Sequence, residues 1–381
     1  MNTRTVAGLA IAGVTVLAFP LLYLGRRLQR DGFSPAHDRA RVGTLDLQVT
    51  AISDQTVTLR AAAGKTSIGP DAAGRYRLEG ARGSGNAGRV IESNGVIAVR
   101  EYTPGPGEIR AGDYVRLDAY SHAEDPLESH GMEFETVTFS SPLGQFPAWY
   151  VPGGTDTWAI LTHGKGADRR EALRMLPTLN EAGFHCLVIT YRNDREVAPS
   201  QSGKYSYGRD EWEELHGAVA YALAHGARDI VLAGFSMGGA ITLSFMANSP
   251  NSAAVSALIL DAPMWHLEKT VSSGARAAGV PERVLVLSNW LSAIRYRFSW
   301  ADFDYHSTLS DIHVPILLFH GDADRTIPVD LSDAAAAQRP DIITYIRVPE
   351  AGHVRAWNID PEAYRQAVLE FVRTRRRVPT P

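Results

Sequence analysis

Apolar residues fall into three regimes along the chain. The first is one unbroken run. From Thr5 to Gly25 the segment TVAGLAIAGVTVLAFPLLYLG carries no charge over 21 residues. As a helix it would span about 30 Å, enough to cross a bilayer. It passes directly into Arg26 and Arg27 rather than into a small-residue cleavage site, so a retained anchor over 5–25 is expected rather than a cleaved signal peptide. Arg26, Arg27 and Arg30 follow the run and Arg4 alone precedes it. The positive-inside rule therefore puts the remainder of the chain in the cytoplasm.

The second regime, 42–120, has period two. LDLQVTAI and TVTLRA alternate apolar and polar positions as half-buried antiparallel strands do. RVIESNGVIAVREY places Asn94-Gly95 between two such runs, a hairpin signal. Gly80, Gly83, Gly85 and Gly88 are expected to punctuate a loop. A small β domain follows, a barrel or a sandwich, with a spacer or brace as its expected role.

The third regime begins near Phe134 and continues to about residue 376. ETVTFSS and FPAWYVP form a hairpin around Pro142, Leu143 and Gly144. Apolar strand segments then alternate with helical ones: TWAILTHG, a helix near 170–181, CLVITYR, a helix over 209–224, DIVLAGFS, VSALILDAP, VPILLFHG and ITYIRVPEAGH. Such alternation implies a mainly parallel sheet with helices on both faces, with ligands outside the carboxyl ends of the strands. An insertion over 264–313 interrupts it. There Val284, Leu287, Leu291 and Ile294 recur at helical spacing. This stripe is expected to face the domain, as core packing or as the inner wall of a lid over an acyl pocket.

Composition narrows the partners. A net charge of −4 leaves no basic footprint for nucleic acid. The single cysteine, Cys186, excludes an intramolecular disulfide and sits in a strand-like run, as a core thiol would. No Cys, His or carboxylate spacing resembles a metal site, and neither metal nor cofactor is expected.

The chemistry gathers at strand ends. Gly234, Ser236 and Gly238 form a G-x-S-x-G turn between an apolar strand and a helix that ends before Pro250. So short a turn forces its central residue into a strained backbone and exposes the serine oxygen. Asp324 follows ILLFHG, and His353 follows ITYIRVPEAG. A serine hydroxyl needs a base: His353 would take its proton, and Asp324 would hold the imidazole tautomer. Asp322 rivals Asp324 but suits the turn better. The oxyanion formed on attack needs donors, expected from the amides of Met237 and of Lys165, with Gly166 the alternative to Lys165. His163 and His320, each before glycine at a strand end, read as turn histidines. Arg192, Asn193 and Asp194 read as braces with no step of their own.

The motifs HGKG, GFSMGG, HGDAD and EAGH resemble those of the α/β-hydrolase superfamily from about Phe134 onward. The likeness is nearest to esterase, lipase and serine-aminopeptidase-like members, some of them membrane-anchored. It implies an α/β-hydrolase fold with a helical lid, a triad of Ser236, Asp324 and His353, no metal, and an acyl-enzyme intermediate. An acyl ester or lipid is the expected substrate. A peptidase or thioesterase of the same fold is the alternative, and a noncatalytic membrane-tethered binding protein the alternative of another class. The β domain at 42–120 lies outside the resemblance.

Overall fold

The computed structural model describes residues 33–35, 44–62, 66, 68–122 and 124–374. The span expected at 5–25 lies outside them. Among the described residues no helix is long and apolar enough to cross a membrane.

Six antiparallel strands form a closed barrel: β1 (Leu47–Ile52), β2 (Thr56–Ala61), β3 (Tyr76–Gly80), β4 (Gly83–Ser93), β5 (Ile97–Gly107) and β6 (Tyr114–Asp118), in the order β1-β2-β5-β4-β3-β6 with β6 paired back to β1. Period-two alternation does this: Leu47 and Val49, Val57 and Leu59, Tyr76 and Leu78, Val115 and Leu117 all point into one core. Asn94 turns the β4–β5 hairpin by accepting from the amides of Val96 (3.0 Å) and Ile97 (2.9 Å). The expected glycine loop is instead part of β3 and β4. A Cβ on Gly85 would stand 2.8 Å from the Thr103 carbonyl on β5, so the glycines let two bulged strands close up rather than turn. Arg100 is fully buried among the barrel residues, donating to the carbonyls of Pro70, Ala72, Gly74 and Gly88. Backbone carbonyls supply the hydrogen bonds that compensate that buried cation.

The rest of the chain builds an eight-stranded sheet. In chain order come α1 (Pro126–His130), β7 (Glu135–Ser141), β8 (Gly144–Val151), β9 (Thr157–Thr162), α2 (Leu176–Glu181), β10 (His185–Ile189), α3 (Trp212–Ala224), β11 (Asp229–Phe235), α4 (Met237–Asn248), β12 (Val255–Asp261), α5 (Leu267–Ala277), α6 (Glu282–Tyr296), β13 (Ile316–Gly321), α7 (Asp330–Gln338), β14 (Ile343–Val348), α8 (Ala356–Ile359) and α9 (Pro361–Thr374). The sheet order is β14-β13-β12-β11-β9-β10-β8-β7, parallel from β14 to β10 and antiparallel at the β8 and β7 edge. The helix expected near 170–181 is split into a 3₁₀ turn, Arg169–Arg174, and α2. β11 explains its continuous apolar run: Ile230 and Leu232 enter the core beneath α3 and α4, and Val231 and Ala233 the core beneath α2 and α9. Cys186 is buried in the second core, and burial pushes its thiol up.

Barrel and sheet meet at Asn358. Its amide nitrogen donates to Arg75 O (2.7 Å) and Ala119 O (3.0 Å), while Arg75 N donates to Asn358 O (2.7 Å). Arg170 adds an ion pair to Asp118 at 3.5 Å.

The insertion corrects an expectation. In α6 the buried residues are Leu285, Ser288, Asn289 and Ser292, whereas Val286, Leu287, Trp290, Leu291 and Ile294 are exposed. The apolar stripe faces away from the domain. Asn289 secures the inward polar face, donating to Glu268 and Ser272 (both 3.3 Å), and its carbonyl accepts from the Trp300 indole.

Candidate active site

Ser236 stands between β11 and α4 with φ 52° and ψ −114°, a left-handed φ that a side-chain-bearing residue adopts at a cost. Its own amide donates to Asp261 O (2.9 Å) and its carbonyl accepts from Met264 N (3.0 Å), so neighbouring strand ends hold the strain in place. Gly238 is dictated by space, because a Cβ there would run into the carbonyls of Thr162 and His163.

The structure brings three sequence-predicted residues together. Ser236 Oγ donates to His353 Nε2 at 2.8 Å, and His353 Nδ1 donates to Asp324 Oδ2 at 2.7 Å. The His353 side chain is 23% exposed and that of Asp324 is fully buried. Burial alone would raise the Asp324 carboxyl. The charge of His353, hydrogen bonds from His320 and His353, and the Ile327 amide outweigh it and hold the group well below the usual carboxylate range. Asp322 points elsewhere: it accepts from Glu350 N at 2.8 Å and shapes the turn before His353.

His320 has a larger part than a turn histidine. Its Nε2 lies 3.2 Å from Asp324 Oδ2 and its Nδ1 accepts from Ser332 Oγ at 2.6 Å, while Ser332 accepts from the Trp265 indole at 2.9 Å. This buried chain fixes the acid from behind. Sequence reading passes over it because Ser332 and Trp265 are far from the motif; the only local trace is a histidine four residues before Asp324.

On the other side of the serine, Gly164 lies so close that a Cβ on it would sit 3.0 Å from Ser236 Cβ. The Gly164 peptide is gripped at both ends. Its N–H donates to Glu171 (2.7 Å), and its carbonyl accepts from the Tyr191 hydroxyl and from His163 Nδ1, both at 2.9 Å. His163 Nε2 donates to Asp194 at 2.9 Å. Burial works against charge on this ring, but the adjoining Asp194 carboxylate and its hydrogen bond push the imidazole up to about 9. A doubly protonated ring can donate from both nitrogens, to Asp194 and to the Gly164 carbonyl. In a trans peptide the carbonyl and the next N–H point opposite ways. Fixing Gly164 O therefore fixes the direction of the Lys165 amide. Met237, the other expected donor, is the first residue of α4, where amides lack intrahelical partners. The half-buried Lys165 carries its ammonium 6.0 Å from the Tyr207 ring centroid.

Other residues act as braces. Arg192 is buried and clasps Glu214 (2.7 and 2.8 Å) and Glu213, and Asn193 ties the following loop through Ser200 and Lys204. Arg174, unnoticed in the sequence, donates to the carbonyl of Val354, next to His353. Among the described residues no group of three or more His, Cys, Asp or Glu could hold a metal ion.

Comparison with known proteins bears on the fold and the family. Over 248 residues the chain is 24% identical to the uncharacterized protein YfhR of Escherichia coli K12, covering 62% of this chain and 80% of that one. It is likewise 24% identical over 229 residues to the uncharacterized protein Rv2307c of Mycobacterium tuberculosis, covering 59% and 73%. Among solved structures, an esterase of Pyrococcus furiosus, Pf2001, superposes with a TM-score of 0.54 at 18% identity, covering 66% of this chain and 94% of that one. The model of the alpha/beta hydrolase family matches residues 150–367. With the parallel sheet, the serine at its strained turn and that match over more than half its length, the chain belongs to the alpha/beta hydrolase family.

Proposed function

We propose that this protein is a serine hydrolase that cleaves carboxylic esters of acyl or lipid-like substrates through an acyl-enzyme on Ser236. The observation that carries the reading is the unbroken line from Ser236 Oγ through His353 to the buried Asp324. Ser236 Oγ attacks the ester carbonyl as His353 Nε2 takes its proton, and Asp324 stabilises the imidazolium that results. The amides of Met237 and Lys165 receive the oxyanion. His353 then returns the proton to the departing alkoxide, leaving an alcohol and the acyl-serine. Water, deprotonated by the same imidazole, releases the acid. That the Pyrococcus protein of like fold is an esterase supports an ester as the bond cleaved. Residues 5–25 serve as a single membrane anchor, with the catalytic domain on the cytoplasmic side; protease protection in sealed vesicles tests the side.

Fluorophosphonate labelling followed by a p-nitrophenyl ester series tests the chemistry. Wild-type protein labels and turns over esters, whereas folded Ser236→Ala does neither. Labelling that survives in Ser236→Ala defeats the assignment. Turnover of anilides or thioesters in preference to every ester replaces the ester reading with the peptidase or thioesterase one.

A further inference from the structure

Helix α6 is built inside out. With about 100° between successive residues, Val286, Leu287, Trp290, Leu291 and Ile294 fall within an arc of roughly 140°. The buried Leu285, Ser288, Asn289 and Ser292 occupy the opposite side. The outward residues are not marginal: Val286 is 61%, Trp290 59% and Ile294 57% exposed. A contiguous apolar face of this kind on a surface helix marks a partner.

Two further observations say which partner. The first is where the N-terminal chain arrives. Phe33 is buried, its ring 5.6 Å from Tyr207 and 5.8 Å from Phe298, and its carbonyl accepts from Tyr205 N at 2.8 Å. Phe298 in turn donates its amide to Ala293 O of α6, closing that helix's C-terminal end. Phe33 is thus pinned beside one end of α6. Only eight residue steps separate it from Gly25, the last residue of the uncharged run. Whatever path they follow, those steps reach no farther than about 29 Å. The second observation is charge. Along α5 and α6, from Glu268 to Arg297, the sequence holds Lys269, Arg276, Arg283, Arg295 and Arg297 against Glu268 and Glu282, a local balance of +3 with Arg276 paired to Glu282. Asp302, Asp304 and Asp311 lie beyond the helices and make the insertion neutral as a whole. Arg26, Arg27 and Arg30, against Asp31 alone, lie between the uncharged run and Phe33. An apolar face carrying a tryptophan, flanked by cations, is the composition of a helix lying in a lipid interface.

We propose that the outward face of α6 docks onto an anionic lipid bilayer, the one that holds residues 5–25. The proposal rests on the anchor reading of 5–25 but not on the ester chemistry. Its consequence is that the insertion, whose root at Met264 bonds to the Ser236 carbonyl, is held at the bilayer surface.

The test uses the full chain. Cys186 is buried, so a thiol introduced by Leu291→Cys takes an environment-sensitive NBD label selectively. Val96→Cys, at an exposed hairpin tip in the barrel, is the control. Both labelled chains are reconstituted into mixed phosphatidylcholine–phosphatidylglycerol vesicles and floated. The expected result is that both float. NBD at 291 brightens several-fold, shifts to the blue and is quenched by doxyl-labelled lipid, whereas NBD at 96 stays water-exposed. If both chains float but the two probes report the same aqueous surroundings, docking is overturned while the anchor stands. If neither floats, the anchor reading fails and the docking proposal falls with it. A blue-shifted 291 probe that lipid quencher does not reach is covered by protein. It is then a second copy if the shift fades on dilution and residues 5–25 if it does not, and either result overturns the proposal.

Discussion

Two histidine–carboxylate pairs flank Ser236, and their far nitrogens meet different partners. His353 with Asp324 and His163 with Asp194 have near-equal contacts, 2.7 and 2.9 Å. His353 is 23% exposed and its second nitrogen accepts from the serine hydroxyl. His163 is fully buried and its second nitrogen faces the Gly164 carbonyl at 2.9 Å, which can only accept; the Tyr191 hydroxyl 3.2 Å away is itself turned onto that same carbonyl and away from the serine. A hydroxyl partner lets the ring receive a proton and pass it on; a carbonyl partner locks the proton in place. The pair itself does not make a base. What sits on the far nitrogen decides.

The largest expected effect comes from breaking the open pair. Ser236→Ala and His353→Ala should each lower ester turnover by about 10⁵- to 10⁶-fold with the fold retained, and the double variant should be no worse than either. Multiplying losses, measured by kcat with circular dichroism as the fold check, would mean that the two do not act as a unit. Asp324→Asn comes next. By favouring the wrong tautomer it should cost about 10³- to 10⁴-fold in kcat.

The sealed pair should matter less and differently. His163→Gln loosens the Gly164 peptide without removing the Lys165 amide. A loss of about 10- to 100-fold in kcat with little change in KM is expected, below that of deleting an oxyanion donor outright. A loss confined to KM would argue against any part in transition-state stabilisation. The same ring carries a pH signature. An unfolded histidine titrates near 6.5 and His163 near 9. Its stabilisation, on the order of 3 kcal/mol, is therefore fully present below pH about 6.5 and lost as pH rises through about 9. Thermal melts from pH 6 to 10 should show wild type losing its advantage over His163→Gln across that window, and parallel curves would refute the charged ring. The smallest effect belongs to Asp322→Asn, which touches only a turn amide. Turnover should fall less than about threefold and stability by about 1 kcal/mol; a loss rivalling that of Asp324→Asn would exchange their roles.

These comparisons also mark how far sequence reaches. Ser236, Asp324 and His353 were legible because each sits in a short motif at the end of an apolar strand, and the alternation of strands and helices orders those ends. His163 and His320 carry the same local signal, histidine before glycine at a strand end. Their parts depend on Asp194, Ser332 and Trp265, which only the tertiary fold brings near. Period-two alternation announced the barrel strands but not that β6 closes onto β1. The glycine cluster at 80–88 marks a turn only at Ala81 and Arg82; Gly83, Gly85 and Gly88 lie within β4, where Gly85 serves close strand approach. In α6 helical periodicity found the apolar stripe and said nothing of its direction. A moment has an axis but no outside, and the polar contacts of Asn289 turn the stripe outward.

The seam at Asn358 has a consequence for biosynthesis. Its partner Arg75 lies 283 residues earlier in the chain. Ala119, just past the last barrel strand, lies 239 residues before Asn358, so at ordinary rates of synthesis the whole barrel emerges about 12 to 48 s before the residue that fastens it to the sheet. For that interval the barrel has to hold together on its own closure and on the carbonyl cage around Arg100. The nascent hydrolase half, whose parallel strands pair only after long loops close, is the slower folder. A translation pause or a chaperone binding before Asn358 emerges would then act on a chain whose barrel can already be closed while its sheet is still open.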